Sequence, residues 1–177
     1  MSAQSLFVRV DQVERRLCLV ANVAARWRVV RPLFRTVSRL GDGVFWYAVI
    51  ALMPVLLGVR GFVVAAQMLA TGALGLLVYK FLKQRLVRER PFIGLAGIQC
   101  AMPPLDRYSF PSGHTLHAVS FTIIAVHHVP EFAIVLLPFT VLVGMSRVVL
   151  GLHYPTDVIV GAAIGAGLAF GSNSLIG

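Results

Sequence analysis

The sequence predicts an all-α protein, an integral-membrane helical bundle of about five transmembrane helices with an N-terminal amphipathic interfacial helix. Three observations carry that prediction. Of 177 residues, 58% are hydrophobic and 13% charged, with a mean hydropathy of +0.82, whereas soluble domains are about 45–50% apolar and about 25% charged. A chain so poor in polar residues cannot cover itself with a water-compatible surface, so its apolar excess must face lipid. The apolar residues gather into five long runs, and the charges lie mostly outside them. Sixteen Lys and Arg against seven Asp and Glu give a net charge of +9. With this apolar excess the basic balance points away from nucleic acid and toward an anionic membrane surface or a phosphorylated substrate.

Residues 1–43 form a basic amphipathic region and residues 44–177 a transmembrane domain. In the first region Leu6, Val10, Val13, Leu17, Val20, Ala24 and Trp27 recur at spacings of three and four, which places them on one helical stripe. Arg9, Arg15, Arg16, Arg26 and Arg28 occupy the other faces. The stripe suits either the apolar side of a membrane interface, with Trp27 near the water boundary, or packing on the bundle or on a second copy. Pro32 is expected to break or end this helix, and a second basic stretch runs to a Gly41-Asp42-Gly43 turn. The five spans follow at residues 44–59, 61–81, 114–129, 132–150 and 158–170. The first two are joined so tightly that they form an antiparallel hairpin. Between the second and third, residues 83–112 are too polar and too rich in proline to cross lipid. Glycines at 161, 165 and 167 predict close helix packing of the last span.

Charged residues at membrane depth are costly and mark sites. Here they fall at one set of span ends. The second span ends into Lys83, the third begins at His114, the fourth ends with Ser146-Arg147, and the fifth begins after His153. If the spans alternate in direction, these ends share one membrane face. Lys83, Arg90 and Arg147 offer fixed positive charge and forked donors suited to phosphate oxygens. Ser112-Gly113 opens a helix whose free N–H groups attract an anion. His153 and Asp157 stand four residues apart, about 40° around a helix axis, so the carboxylate can accept one imidazole N–H and leave the other nitrogen as a nucleophile. Pro155 between them suits the first turn of a helix, and His114 is available as a general acid.

The pattern Lys83-x6-Arg90-Pro91, Pro111-Ser112-Gly113-His114 and Ser146-Arg147-x5-His153-x3-Asp157 resembles the three-part signature of the type 2 phosphatidic acid phosphatase superfamily. The eleven fixed positions agree in order and internal spacing, over a resemblance covering roughly residues 44–170. It implies a membrane lipid phosphate phosphatase in which His153 forms a phosphohistidine, Asp157 orients it and His114 protonates the leaving group. Lys83, Arg90, Ser112, Gly113 and Arg147 would cradle the phosphate. Neither a metal nor a cofactor is implied. The expected partners are a lipid phosphate substrate and membrane lipids, with polyprenyl phosphates or diphosphates, phosphatidic acid and phosphatidylglycerol phosphate as candidate substrates.

Other ionisable residues read more plainly. His117, one turn after His114, lines the same cavity rather than acting in catalysis, and His127 and His128 belong to the opposite end. Arg85 and Arg88 either assist headgroup binding or face solvent and lipid phosphates. If residues 1–43 do not cross the membrane, fifteen of the sixteen basic residues lie on the active-site side and only Arg60 on the other. The positive-inside rule then places the site on the cytoplasmic face of a bacterial inner membrane. A non-catalytic transporter or assembly protein is the alternative class, although five spans with no second set of buried charges make a poor conduit.

Overall fold

The computed structural model describes residues 3–104 and 106–176, with side chains from residue 12 onward. Helix α1 (Ala3–Ala24) is followed by α2 (Val30–Leu40), α3 (Val44–Leu57), α4 (Val59–Arg85), the short α5 (Pro91–Gly94), α6 (Gly113–His128), a 3-10 turn (Pro130–Phe132), α7 (Ala133–Val149) and α8 (Pro155–Ile176). No strand occurs among the described residues. Helices occupy all five predicted span positions. Three stretches are long and apolar enough to cross a membrane, namely α4, the 3-10 turn with α7, and α8; α2 and α3 pass the same test as a pair bent by 48°. The 16 residues of α6 extend about 24 Å at helical rise, less than the ~30 Å hydrocarbon layer.

Helix α6 is the centre of the bundle. It packs on α8, α4 and α7, and Leu116, Ala118, Ser120, Ile124 and Ala125 are all fully buried. The contact with α8 is backbone against backbone. A Cβ at Gly161 would stand 2.5 Å from the Ser112 carbonyl oxygen, and one at Gly165 would overlap that of Leu116. At Gly167 a Cβ would meet nothing, so only two of the three predicted packing glycines serve that purpose. The hairpin between α3 and α4 turns on Gly58 alone, whose φ of +58° favours a residue without Cβ. Trp46, Met53, Val64, Met68 and Ile124 fill the core beneath it.

The N-terminal region departs from expectation at Pro32. Helix α1 ends at Ala24, before Pro32, and Pro32 sits in the first turn of α2, where its missing N–H has no intrahelical partner to lose. The predicted apolar stripe does not pack on the bundle: Val13, Leu17, Val20 and Trp27 are exposed, while the side chains of Leu6, Arg9 and Val10 lie outside the described residues. Instead α1 docks by a polar stripe of Glu14, Cys18 and Asn22, all buried. Asn22 accepts the Gln99 N–H at 2.8 Å and donates to the carbonyls of Gln99 and Val149, both at 3.0 Å. Burial, with Glu14 nearby, pushes the Cys18 thiol up to about 12, making it a packing residue rather than a reactive one.

Candidate active site

Four segments meet at the N-terminal end of α6. Lys83 comes from the last turn of α4 and Arg90 from the extended residue before Pro91, a conformation that the following proline favours. Both cations turn to one carboxylate, Asp106, with Lys83 Nζ at 2.6 Å and Arg90 Nη2 at 2.7 Å from Oδ1. Tyr79, one turn before Lys83, donates its hydroxyl to Asp106 Oδ2 and accepts from Lys83 Nζ at 3.0 Å. Burial works against the Asp106 charge, but hydrogen bonds from Lys83 and Tyr79 and the charge of Lys83 prevail, holding its carboxyl down to about 2. Arg90 also donates to the carbonyls of Asp106 at 3.0 Å and Leu152 at 2.7 Å. One guanidinium thereby ties the loop before α6 to the loop before α8.

Arg147, in the last turn of α7, is 2% exposed. Nη1 donates to the Ser38 hydroxyl on α2, and Nε has no partner among the described residues. No carboxylate pairs with it there. Its own carbonyl accepts the N–H groups of Leu152 and His153, both at 3.0 Å, and this folds the tight loop that places His153. The His153 ring is buried, with Nε2 3.3 Å from Arg90 Nη1. Burial first, then the charges of Arg147, Arg90 and Lys83, hold its imidazole well below the ordinary histidine value, which favours the neutral ring near pH 7.

Asp157, in the first turn of α8, is wholly buried and approaches His153 Nδ1 with Oδ2 at 3.7 Å. That distance exceeds a hydrogen bond, and His153 Nδ1 has no other partner. The expected pair is therefore aligned but open. The Asp157 carbonyl accepts the Ser112 N–H at 3.0 Å, which joins the start of α6 to the start of α8. Ser112 turns its hydroxyl to that of Thr115 at 2.9 Å, so its segment presents backbone N–H groups of the first helical turn rather than a free side chain. Two residues on, His114 Nε2 stands 3.2 Å from Asp42 Oδ1 in the turn between α2 and α3.

A cavity of about 410 Å³ opens beside His114 between α3, α4 and α6. Asp42, Tyr79 and His114 line it together with the apolar side chains of Trp46, Ile50, Leu69, Leu76 and Phe121. His117 lines it as expected, with its ring nitrogens 2.9 and 3.1 Å from the carbonyl oxygens of Gly113 and Gly72. The far-end reading of His128 also holds, since it bonds Gln67 at 3.0 Å.

Contacts thus link Lys83, Arg90, Arg147, His153, Asp157 and the Ser112-Gly113 helix start, with His114 one step further along that helix. Sequence reasoning passed over Tyr79, Asp106, Asp42, Ser38 and Glu14. One signal could have found the acidic ones. The chain has seven Asp and Glu in all, and Asp42 stands alone between Glu14 and Glu89, so each rare carboxylate inside a basic membrane protein merits a search for its cation.

Together the apolar helices and the fold define an integral-membrane protein with a buried cluster of cations and histidines at one end of its bundle. The chain belongs to the PAP2 superfamily, whose family model matches residues 62–176. It is 40% identical over 58 residues to the lipid A 1-phosphatase of Rhizobium johnstonii, covering 33% of this chain and 24% of that protein. Over 134 residues it is 27% identical to the undecaprenyl-diphosphatase of Sulfolobus acidocaldarius, covering 75% of this chain and 64% of the other. The chain thus spans less than two thirds of either relative. The crystal structure of the first transmembrane PAP2 type phosphatidylglycerolphosphate phosphatase from Bacillus subtilis superposes with a TM-score of 0.77 at 26% identity, covering 94% of this chain and 86% of that one.

Proposed function

We propose that this protein is a lipid phosphate phosphatase that cleaves a terminal phosphate from a lipid phosphomonoester or diphosphate at its membrane interface. The observation that carries the reading is Arg147, a buried cation with no carboxylate partner among the described residues, beside a neutral, buried His153. A buried charge without a partner costs several kcal/mol, and a phosphate dianion supplies the missing charge.

In the reaction, His153 Nε2 attacks phosphorus while Asp157 accepts the Nδ1–H and stabilises the developing imidazolium. Lys83, Arg90, Arg147 and the N–H groups of the first turn of α6 from Gly113 onward hold the equatorial oxygens, while the Ser112 N–H, bonded to the Asp157 carbonyl, fixes the start of that helix. The bond to the lipid oxygen breaks, and that oxygen takes a proton from His114. Water then adds to the phosphohistidine, with His114 receiving its proton, and phosphate leaves. No step calls on a metal. The cavity beside His114 suits a hydrocarbon tail next to the leaving oxygen, and the relatives' names make lipid A, a polyprenyl diphosphate and phosphatidylglycerol phosphate the first substrates to try. The exposed apolar stripe of α1, with arginines around it, lies in the headgroup layer on the site's own side. The excess of basic residues on that side supports a cytoplasmic site, and a reporter fused to the C-terminus is expected on the outer face.

Phosphate release from those lipids and phosphatidic acid, with EDTA present, tests the reading. Activity surviving EDTA and falling at least about a thousandfold in His153→Ala is expected. Full activity in that variant removes His153 as nucleophile, and a wild-type protein that cleaves none of them removes the phosphatase reading.

A further inference from the structure

Asp157 is placed by contacts that reach beyond the signature. Its Oδ2 accepts the Tyr154 N–H at 2.8 Å and faces His153. Its Oδ1 is held by Arg88 Nη1 at 2.7 Å, the one cation in ion-pair contact with it among the described residues. Arg88 is half-buried, and its guanidinium is engaged by protein groups on several sides. Its guanidinium lies 3.9 Å over the Tyr154 ring, Nη1 also donates to Thr156 Oγ1 at 2.8 Å, and Nη2 reaches Glu14 Oε2 at 2.7 Å on α1. The second Glu14 oxygen accepts the Thr156 N–H at 2.8 Å, so the same carboxylate caps the first turn of α8, which carries Asp157. Asn22, two turns along α1, fixes that helix to the Gln99 and Val149 backbone.

We infer that Arg88 and Glu14 form a positioning pair for Asp157, through which a helix outside the family-matched stretch helps orient the nucleophilic histidine. The inference rests on the proposed roles of His153 and Asp157. Physically, a wholly buried carboxylate stays ionised and fixed only when its charge is paired and its oxygens are bonded. Arg88 supplies both on the side away from His153, leaving Oδ2 to the imidazole. Glu14 stops the guanidinium from swinging off Asp157 and locks the turn that presents it. Closing the 3.7 Å gap between His153 and Asp157 is then a small motion when phosphate binds rather than a search. None of Arg88's side-chain partners lines the cavity or belongs to the phosphate cradle, so its effect passes through Asp157.

The test is a double-mutant cycle on the full chain, with kcat and KM measured for dioctanoyl phosphatidic acid in detergent micelles. Arg88→Gln is expected to lower kcat about 30-fold with KM changed less than about threefold, because a small misplacement of a catalytic group has costs of that order. Arg88→Lys should recover part of the loss and Glu14→Gln should cost about fivefold, again in kcat. In an Asp157→Asn background Arg88→Gln should cost less than about twofold. Should Arg88→Gln fail to fold, the same cycle is run with Glu14→Gln. A loss confined to KM, a loss of the same factor in the Asp157→Asn background, or full activity of Arg88→Gln alongside an impaired Asp157→Asn overturns the positioning pair alone. A fully active Asp157→Asn overturns the orienting role of Asp157 itself, and the pair with it.

Discussion

Polar side chains are buried at both ends of this bundle, and the two ends treat them differently. At the end away from the site, Gln67 on α4 donates to Asn173 on α8 at 2.8 Å and pairs with His128 on α6 at 3.0 Å, while Thr71 and Ser172 share a hydrogen bond of 3.1 Å. These groups are neutral and satisfy one another, leaving the lone pair of His128 Nδ1 without a partner. At the site end Lys83 and Arg90 share the single carboxylate of Asp106, and Arg147 has a hydroxyl as its only side-chain partner among the described residues. Neutral pairs between helices hold them together at little risk. Buried cations in excess of their anions cost stability and persist where an anion from outside completes them.

The comparison can be broken most sharply at Arg147. Arg147→Met should lower phosphatase activity at least about a hundredfold while leaving the melting temperature in detergent unchanged or raised, because an apolar side chain removes an uncompensated charge. A large drop in melting temperature would mean that Arg147 is a structural residue like those at the far end. A smaller effect is read by titration. At pH 5.5 an imidazole of ordinary basicity would be about 90% protonated, but His153 should still be neutral, since its burial among cations lowers its value and protonation waits until the pH falls to that lower value. Histidine-ring NMR, comparing wild type with His153→Ala to assign the signal, checks this; a signal titrating near pH 6.5 would mean that the cationic surroundings do not reach the ring. The smallest expected effect lies at the neutral end. Gln67→Leu should cost about 1 kcal/mol of stability by stranding Asn173 and His128, seen as a slightly lower melting temperature, with kcat within twofold of wild type. Loss of activity there would mean that the two ends are coupled through α6.

Much of the bundle and of the site was legible in one dimension. Five apolar runs gave five helices at the expected places, because a span must be both long and greasy whatever it packs against. Lys83, Arg90, Arg147, His114, His153 and Asp157 could be gathered at one end from alternation of span direction alone. The carboxylates Asp42 and Asp106 could not be matched to partners, since Asp42 meets His114 and Asp106 meets Lys83 and Arg90 across loops whose path the sequence does not encode in any periodic pattern. Neither headgroup binding nor a solvent- or lipid-facing role, the two expectations for Arg88, anticipates its contacts, because its partners Glu14, Thr156 and Asp157 lie 68 to 74 positions away.

Helix α1 marks the boundary between the two kinds of knowledge. Composition and spacing by themselves determined that this is a membrane protein, that its first helix is amphipathic, and that the signature residues sit at span ends. They could not determine which face of α1 docks, because hydrocarbon and protein interior are equally apolar and a greasy stripe fits either. The tertiary structure decided it. Glu14 and Asn22 find Arg88, Thr156, Gln99 and Val149, so the polar stripe turns inward to satisfied hydrogen bonds and Val13, Leu17 and Val20 are left exposed. Hydrophobic patterning is a local property of the chain, whereas pairing of rare buried charges depends on what the fold brings within 3 Å.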